Sequence, residues 1–166
     1  MGYYISTPNT HFSVRTADLP KFFDLVTELM KDETVERLGN GGSYSNKEKT
    51  ASWYSWVDTK RVREAVEAKD IERVFEEWGY ELRFVHEHDE VSYYRLDIRD
   101  GNAKVGDEEK FFSAIAPIVV EGSFIDCEGE DGDEWRWMWE NGKFFSQNVE
   151  RKDVVYGEPI EISYGL

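Results

Sequence analysis

Apolar residues recur at three- and four-residue spacing through Leu19, Phe22, Phe23, Val26, Leu29 and Met30, which puts them on one face of a helix. Thr16-Ala17-Asp18 precedes the run, and Pro20 falls in its first turn, where a missing N–H costs no hydrogen bond. The same spacing predicts further helices. A short one spans Glu33 to Leu38 and stops at Gly39. Another carries the stripe Val62, Ala65 and Val66 behind a cap at Asp58 or Thr59. A third places Ile71, Val74, Phe75 and Trp78 inward between Asp70 and Gly79. Asp107 opens the last, with Phe111, Phe112, Ile115 and Ala116 on one side and Pro117 as its stop.

Alternation with a period of two marks the strands. Tyr3 to Ser6 opens the chain and is expected to stop at Pro8-Asn9, and Ala51 to Val57 has aromatics on both faces. Tyr80–Val85 and Val91–Ile98 flank the polar turn His86-Glu87-His88-Asp89-Glu90. The second of these alternates Val91/Tyr93/Arg95/Asp97 against Ser92/Tyr94/Leu96/Ile98, which leaves its core-facing side open. A meander follows: Ser123–Glu128, Asp133–Glu140 and Lys143–Val149, joined through Gly129-Glu130-Asp131-Gly132 and through Asn141-Gly142, the strongest short hairpin signal in the chain. A last strand is expected near Ile160-Glu161-Ile162. The pattern predicts an α+β fold over residues 1–166: one domain, an antiparallel sheet with a C-terminal β-meander packed against about four helices. The polar, Gly-rich stretch 40–50 is the place for a subdomain boundary if there is one.

Composition narrows the classes. The chain of 166 residues has 20 basic and 35 acidic side chains, a net −15, yet 15% of its residues are aromatic. Disordered chains lack aromatics, so this one folds. A single cysteine, Cys127, excludes an internal disulfide and a thiolate zinc site. No signal peptide is legible near Met1, and the longest apolar run, Ala114 to Val120, is too short to cross a bilayer and is broken by Pro117. These features lead to the expectation of a cytoplasmic protein that needs no cofactor. Residues 107–166 hold 15 acidic against 5 basic side chains, so two thirds of the net charge lies there. A surface of this sign repels phosphate backbones and anionic lipid, and neither is expected to bind directly.

Two features of the last third invite a functional interpretation. In Trp135-Arg136-Trp137-Met138-Trp139 the three indoles share one face of a strand and Arg136 faces the other way. Trp135, Trp137 and Trp139 therefore either fill the core or form an aromatic platform for stacking, and Arg136 either pairs with a neighbouring acid or contacts an anion. Asp126, Glu128, Glu130, Asp131, Asp133 and Glu134 form the second feature. Spaced carboxylates either make a solvated face or imitate the phosphates of a nucleic acid against a basic groove. They do not make a calcium loop, because the sixth position lacks Gly and the twelfth is Trp137. His86 and His88 lack a third ligand at a recognised spacing, so no metal is expected, and the motifs of the common hydrolases, nucleotide-binding loops and zinc peptidases are absent. Cys127 sits between two carboxylates that raise a thiol's pKa and blunt it as a nucleophile.

The segments Gly122-Ser123-Phe124-Ile125, Gly129-Glu130-Asp131-Gly132, Trp135-Arg136-Trp137 and Gly142-Lys143, with Ala17-Asp18-Leu19-Pro20 and Ser55-Trp56-Val57, resemble small acidic proteins of phages and mobile elements of gut bacteria. The resemblance implies an inhibitor of bacterial defence, of the anti-CRISPR or anti-restriction kind, and carries no functional residue with it. Combined with the charge, it leads to the expectation of a non-enzymatic inhibitor whose six carboxylates contact a basic bacterial protein such as a nuclease or CRISPR effector. The alternative is a protein that sequesters a small nucleotide signal, with Trp53, Tyr54 and Trp56 or the Trp135–Trp139 ladder stacking on bases and Arg83, Arg95 or Arg136 meeting phosphates. The abundance of aromatics also raises a homodimer.

Overall fold

A computed structural model describes residues 4–31, 57–87, 91–99, 108–150 and 156–161. Among these residues seven strands form two antiparallel sheets. One has the order β1-β5-β6-β7, built from Ile5–His11, Phe124–Gly129, Glu134–Glu140 and Lys143–Asn148; the other has the order β2-β4-β3, built from Ser13–Arg15, Ser92–Leu96 and Leu82–His86. β1 and β2 are separated only by Phe12, where the chain leaves one sheet for the other. Phe12 is buried, and its ring meets those of Phe75, Phe112 and Trp139 with centroids 4.9–5.9 Å apart, so this crossing point also holds the middle of the core.

Four helices are described: α1 Leu19–Leu29, α2 Thr59–Glu67, α3 Ile71–Glu77 and α4 Glu108–Ala114. The predicted face of α1 is the buried one, with Phe22, Phe23, Val26 and Met30 inward. Asp58 is the cap of α2, accepting from the backbone N–H groups of Lys60 and Arg61 at 3.1 and 3.2 Å, and Asp70 caps α3 through Arg73 N–H at 3.1 Å. Gly79 follows α3 with φ +82°, a left-handed conformation that suits a residue without Cβ. The buried apolar cluster runs from α1 through α3 and α4 to both sheets, so one core serves the whole described fold.

Several expectations need correction. β1 does not stop at Pro8-Asn9 but continues through them to His11. It lies at a sheet edge and its register against β5 shifts between Ser6 and Asn9, so a residue without an N–H fits there. The α+β fold with its C-terminal meander and four helices is as expected, with the described strands divided between two antiparallel sheets and the chain passing from one to the other at Phe12. Ile160 and Glu161 are exposed and lie in no strand. On β4 the face carrying Tyr94 and Leu96 is inward and Tyr93 and Arg95 point out; Ile98, in phase with the inward set, lies past the strand end and is 65% exposed. The expected helix at 33–38, the stretch 40–50 and residues 51–56 lie outside the described residues, while Val57 is buried.

Candidate functional site

The site occupies the four-stranded sheet at the end bounded by the β5–β6 turn. Its inner face is closed. Trp137 and Trp139 are buried against Phe112 of α4, with ring centroids 5.5 and 5.3 Å away. Trp139 Nε1 donates to the Phe112 carbonyl at 3.2 Å, and Trp137 Nε1 donates to Glu109 at 3.3 Å. Both indole N–H groups are thus engaged, and most of the ring surface is committed to the core. An aromatic platform made of all three indoles is not available; Trp135, half-buried at the open end of the ladder with its ring 6.0 Å from Trp137, is the remaining indole with an accessible side.

The outer face presents side chains in rows set by strand register. His11, Phe124, Met138 and Phe145 form one row, with Phe145 43% exposed. Asn9, Asp126, Arg136 and Gln147 form the next. Arg136 donates from Nε and Nη2 to the two Asp126 oxygens at 2.6 and 3.0 Å, while its guanidinium lies 4.1 Å from the centre of the Phe124 ring. Asn9 Nδ2 donates to the same carboxylate at 3.0 Å. These hydrogen bonds, Arg136 foremost, hold the Asp126 carboxyl below the usual carboxylate range, and the reciprocal bond raises the pKa of Arg136. Arg136 is therefore a paired cation that orders the sheet face, and the Asp126 carboxylate is withdrawn from the set available to a partner.

The other five predicted acids end up close together. Register sets Glu128 directly opposite Glu134, and Glu130, Asp131 and Asp133 ride on the turn that joins the two strands. That turn is closed by Gly129 N–H donating to Asp133 O at 2.8 Å and Gly132 N–H to Gly129 O at 3.0 Å, with Gly132 at φ +88°. All five side chains are exposed, and Glu128, Glu130 and Asp133 form no ion pair among the described residues. A cleft of about 370 Å³ opens beside them between Pro8, Glu128, Glu134, Trp135, Arg136 and Gln147. Chemically, the arrangement can offer carboxylates to a cation-rich surface and an adjoining apolar row to a contact. No group of three or more His, Cys, Asp or Glu among the described residues is arranged to hold a metal ion.

The remaining candidates scatter. His11 is on β1 and His86 ends β3, while His88 lies outside the described residues. Cys127 is buried with its side chain inward from β5; burial is the main cause of its strongly raised pKa, followed by the charges of Asp126 and Glu108. Arg83 and Arg95 are brought directly opposite each other on β3 and β4. The apolar row Phe124–Met138–Phe145 escaped sequence reasoning, which followed the indole phase of β6; its signal was the second apolar phase, Phe124 before Ile125, Met138 between two indoles and Phe145 after Phe144.

Comparison with known protein families, with characterised proteins and with solved structures finds no match to this chain. Among the described residues, no helix is long and apolar enough to cross a membrane.

Proposed function

We propose that this chain is a non-enzymatic binding protein that docks the outer face of its four-stranded sheet on a basic protein surface. The observation that carries the reading is the meeting of five exposed carboxylates, Glu128, Glu130, Asp131, Asp133 and Glu134, with the apolar row Phe124–Met138–Phe145 on one sheet. The carboxylates would steer encounter with a cationic partner and make it salt-sensitive, while the apolar row would slow dissociation. A basic groove that normally holds nucleic acid is the surface complementary to this charge. A bacterial nuclease or CRISPR effector, engaged in the host cytoplasm by an anti-defence inhibitor, is the partner the phage-protein resemblance points to.

The test uses the wild-type chain and a variant with Glu128, Glu130 and Asp133 changed to Lys, each immobilised and exposed to bacterial lysate. The expected result is capture of a nucleic-acid-handling protein by the wild type, its release by added nucleic acid, and its loss with the variant. Identical capture by both chains would overturn the reading.

A further inference from the structure

A second cleft, of about 600 Å³, opens where the chain crosses from β1 to β2, and its lining carries two arginines against one carboxylate. Its walls include His11, Ser13, Arg83, Tyr93, Arg95 and the exposed Ile98. Arg83 and Arg95 occupy opposite positions of the β3–β4 ladder, and Ser13 of β2 completes the row on the other side of Arg95. The heads of the two arginines lean in opposite directions along the ladder, Arg83 towards Asp97 and Arg95 towards Tyr93 and Glu87. Among the described residues lining the cleft, Asp97 is the one carboxylate, and it lies 3.3 Å from Arg83 Nη2. Arg95 is held from behind: Nη2 donates to the Tyr93 hydroxyl at 2.9 Å, that hydroxyl donates to Glu87, and Glu87 lies 3.8 Å from the guanidinium. Each arginine is oriented by one acid through part of its fork, which leaves further N–H groups for an anion.

We infer that this inter-sheet cleft is a binding site for the phosphate group of a small molecule, held between Arg83 and Arg95. A guanidinium matches the oxygens of a phosphate in geometry and charge, and the cleft is lined by two of them. The volume is that of a site for a molecule of mononucleotide size, and the 65% exposed Ile98 gives an apolar wall for its organic part. A net charge of −15 opposes a polyanion lying along the surface, whereas a small anion inside the cleft feels mainly the local arginines. The site does not use the acidic end of the four-stranded sheet, so it stands or falls independently of the protein-docking reading.

Calorimetric titration of the full chain with inorganic phosphate, adenosine 5′-monophosphate and adenosine tests the inference. Saturable binding of the two phosphates and none of adenosine is expected, with affinity reduced about tenfold or more in Arg83→Gln and in Arg95→Gln. Equal affinities for phosphate and the monophosphate would assign the site to the free anion, and tighter binding of the monophosphate to an organic phosphate. Both arginines are largely exposed, and the melting temperatures of the variants would show that they fold. Absence of saturable phosphate binding up to about 10 mM, or binding unchanged in both folded variants, would overturn the inference.

Discussion

Glu128 and Glu134 face each other across the β5–β6 ladder, two carboxylates at one register position on an exposed sheet face. Direct opposition of like charges costs stability, so an arrangement of this kind is the reverse of what packing alone would favour. Glu128→Lys would convert it into an opposite-charge pair. The variant is expected to gain about 0.2–1 kcal/mol in urea unfolding while losing affinity for a basic partner. A gain in stability joined to a loss of binding separates a functional surface from a merely solvated one. Loss of both, or of neither, would count against the docking role.

The bidentate contact between Arg136 and Asp126 makes a pH-dependent prediction. The folded-state pKa of Asp126 is depressed, chiefly by the Arg136 hydrogen bonds, so the contribution is present above the unfolded-state value near 4 and disappears as pH falls through the folded-state value. Arg136 is 42% exposed, and solvent screening limits the coupling to about 1 kcal/mol. Urea midpoints of wild type and Arg136→Gln should therefore differ at pH 7 and converge as the pH falls through the depressed folded-state value of Asp126.

Burial divides the three indoles into unequal classes. Trp139→Ala should cost about 3–5 kcal/mol, since it opens a cavity between Phe12, Phe112 and Phe144 and strips the Phe112 carbonyl of its indole donor. Trp135→Phe, at the open end of the ladder, should cost less than about 1.5 kcal/mol. Guanidinium unfolding of the two variants checks the difference.

Cys127 should be inert in the folded protein. Its thiol is buried, donates weakly to the Ile125 carbonyl at 3.8 Å, and has its pKa driven far up by desolvation. Reaction with a water-soluble disulfide reagent at pH 8 should be blocked natively and become complete in denaturant. Rapid labelling of the native chain would show that β5 opens readily.

The helices were legible in the chain because their information is local. The period of Phe22, Phe23 and Val26 sets the buried face of α1, Asp58 and Asp70 supply caps within three residues, and Asn141-Gly142 takes the two positive φ values, +55° and +69°, that a tight hairpin needs. The meander and its acidic turn follow from the same short-range signals. Sequence by itself also determined that the three indoles share a face and that Arg136 opposes them, because strand period admits no other arrangement.

Which face turned inward was decided by α4, whose Phe112 lies more than twenty residues from Trp137 and covers the indole side of β6. The choice of Asp126 as partner for Arg136, of Glu134 opposite Glu128, and of Arg95 opposite Arg83 rests on register between strands, which a one-residue slip would have rearranged. Pro8 could stay within a strand because that strand became an edge, and the chain passes from one sheet to the other at Phe12, whose ring is buried in the shared core. Periodicity assigns a side chain to a face; only the packing of distant elements determines what that face meets.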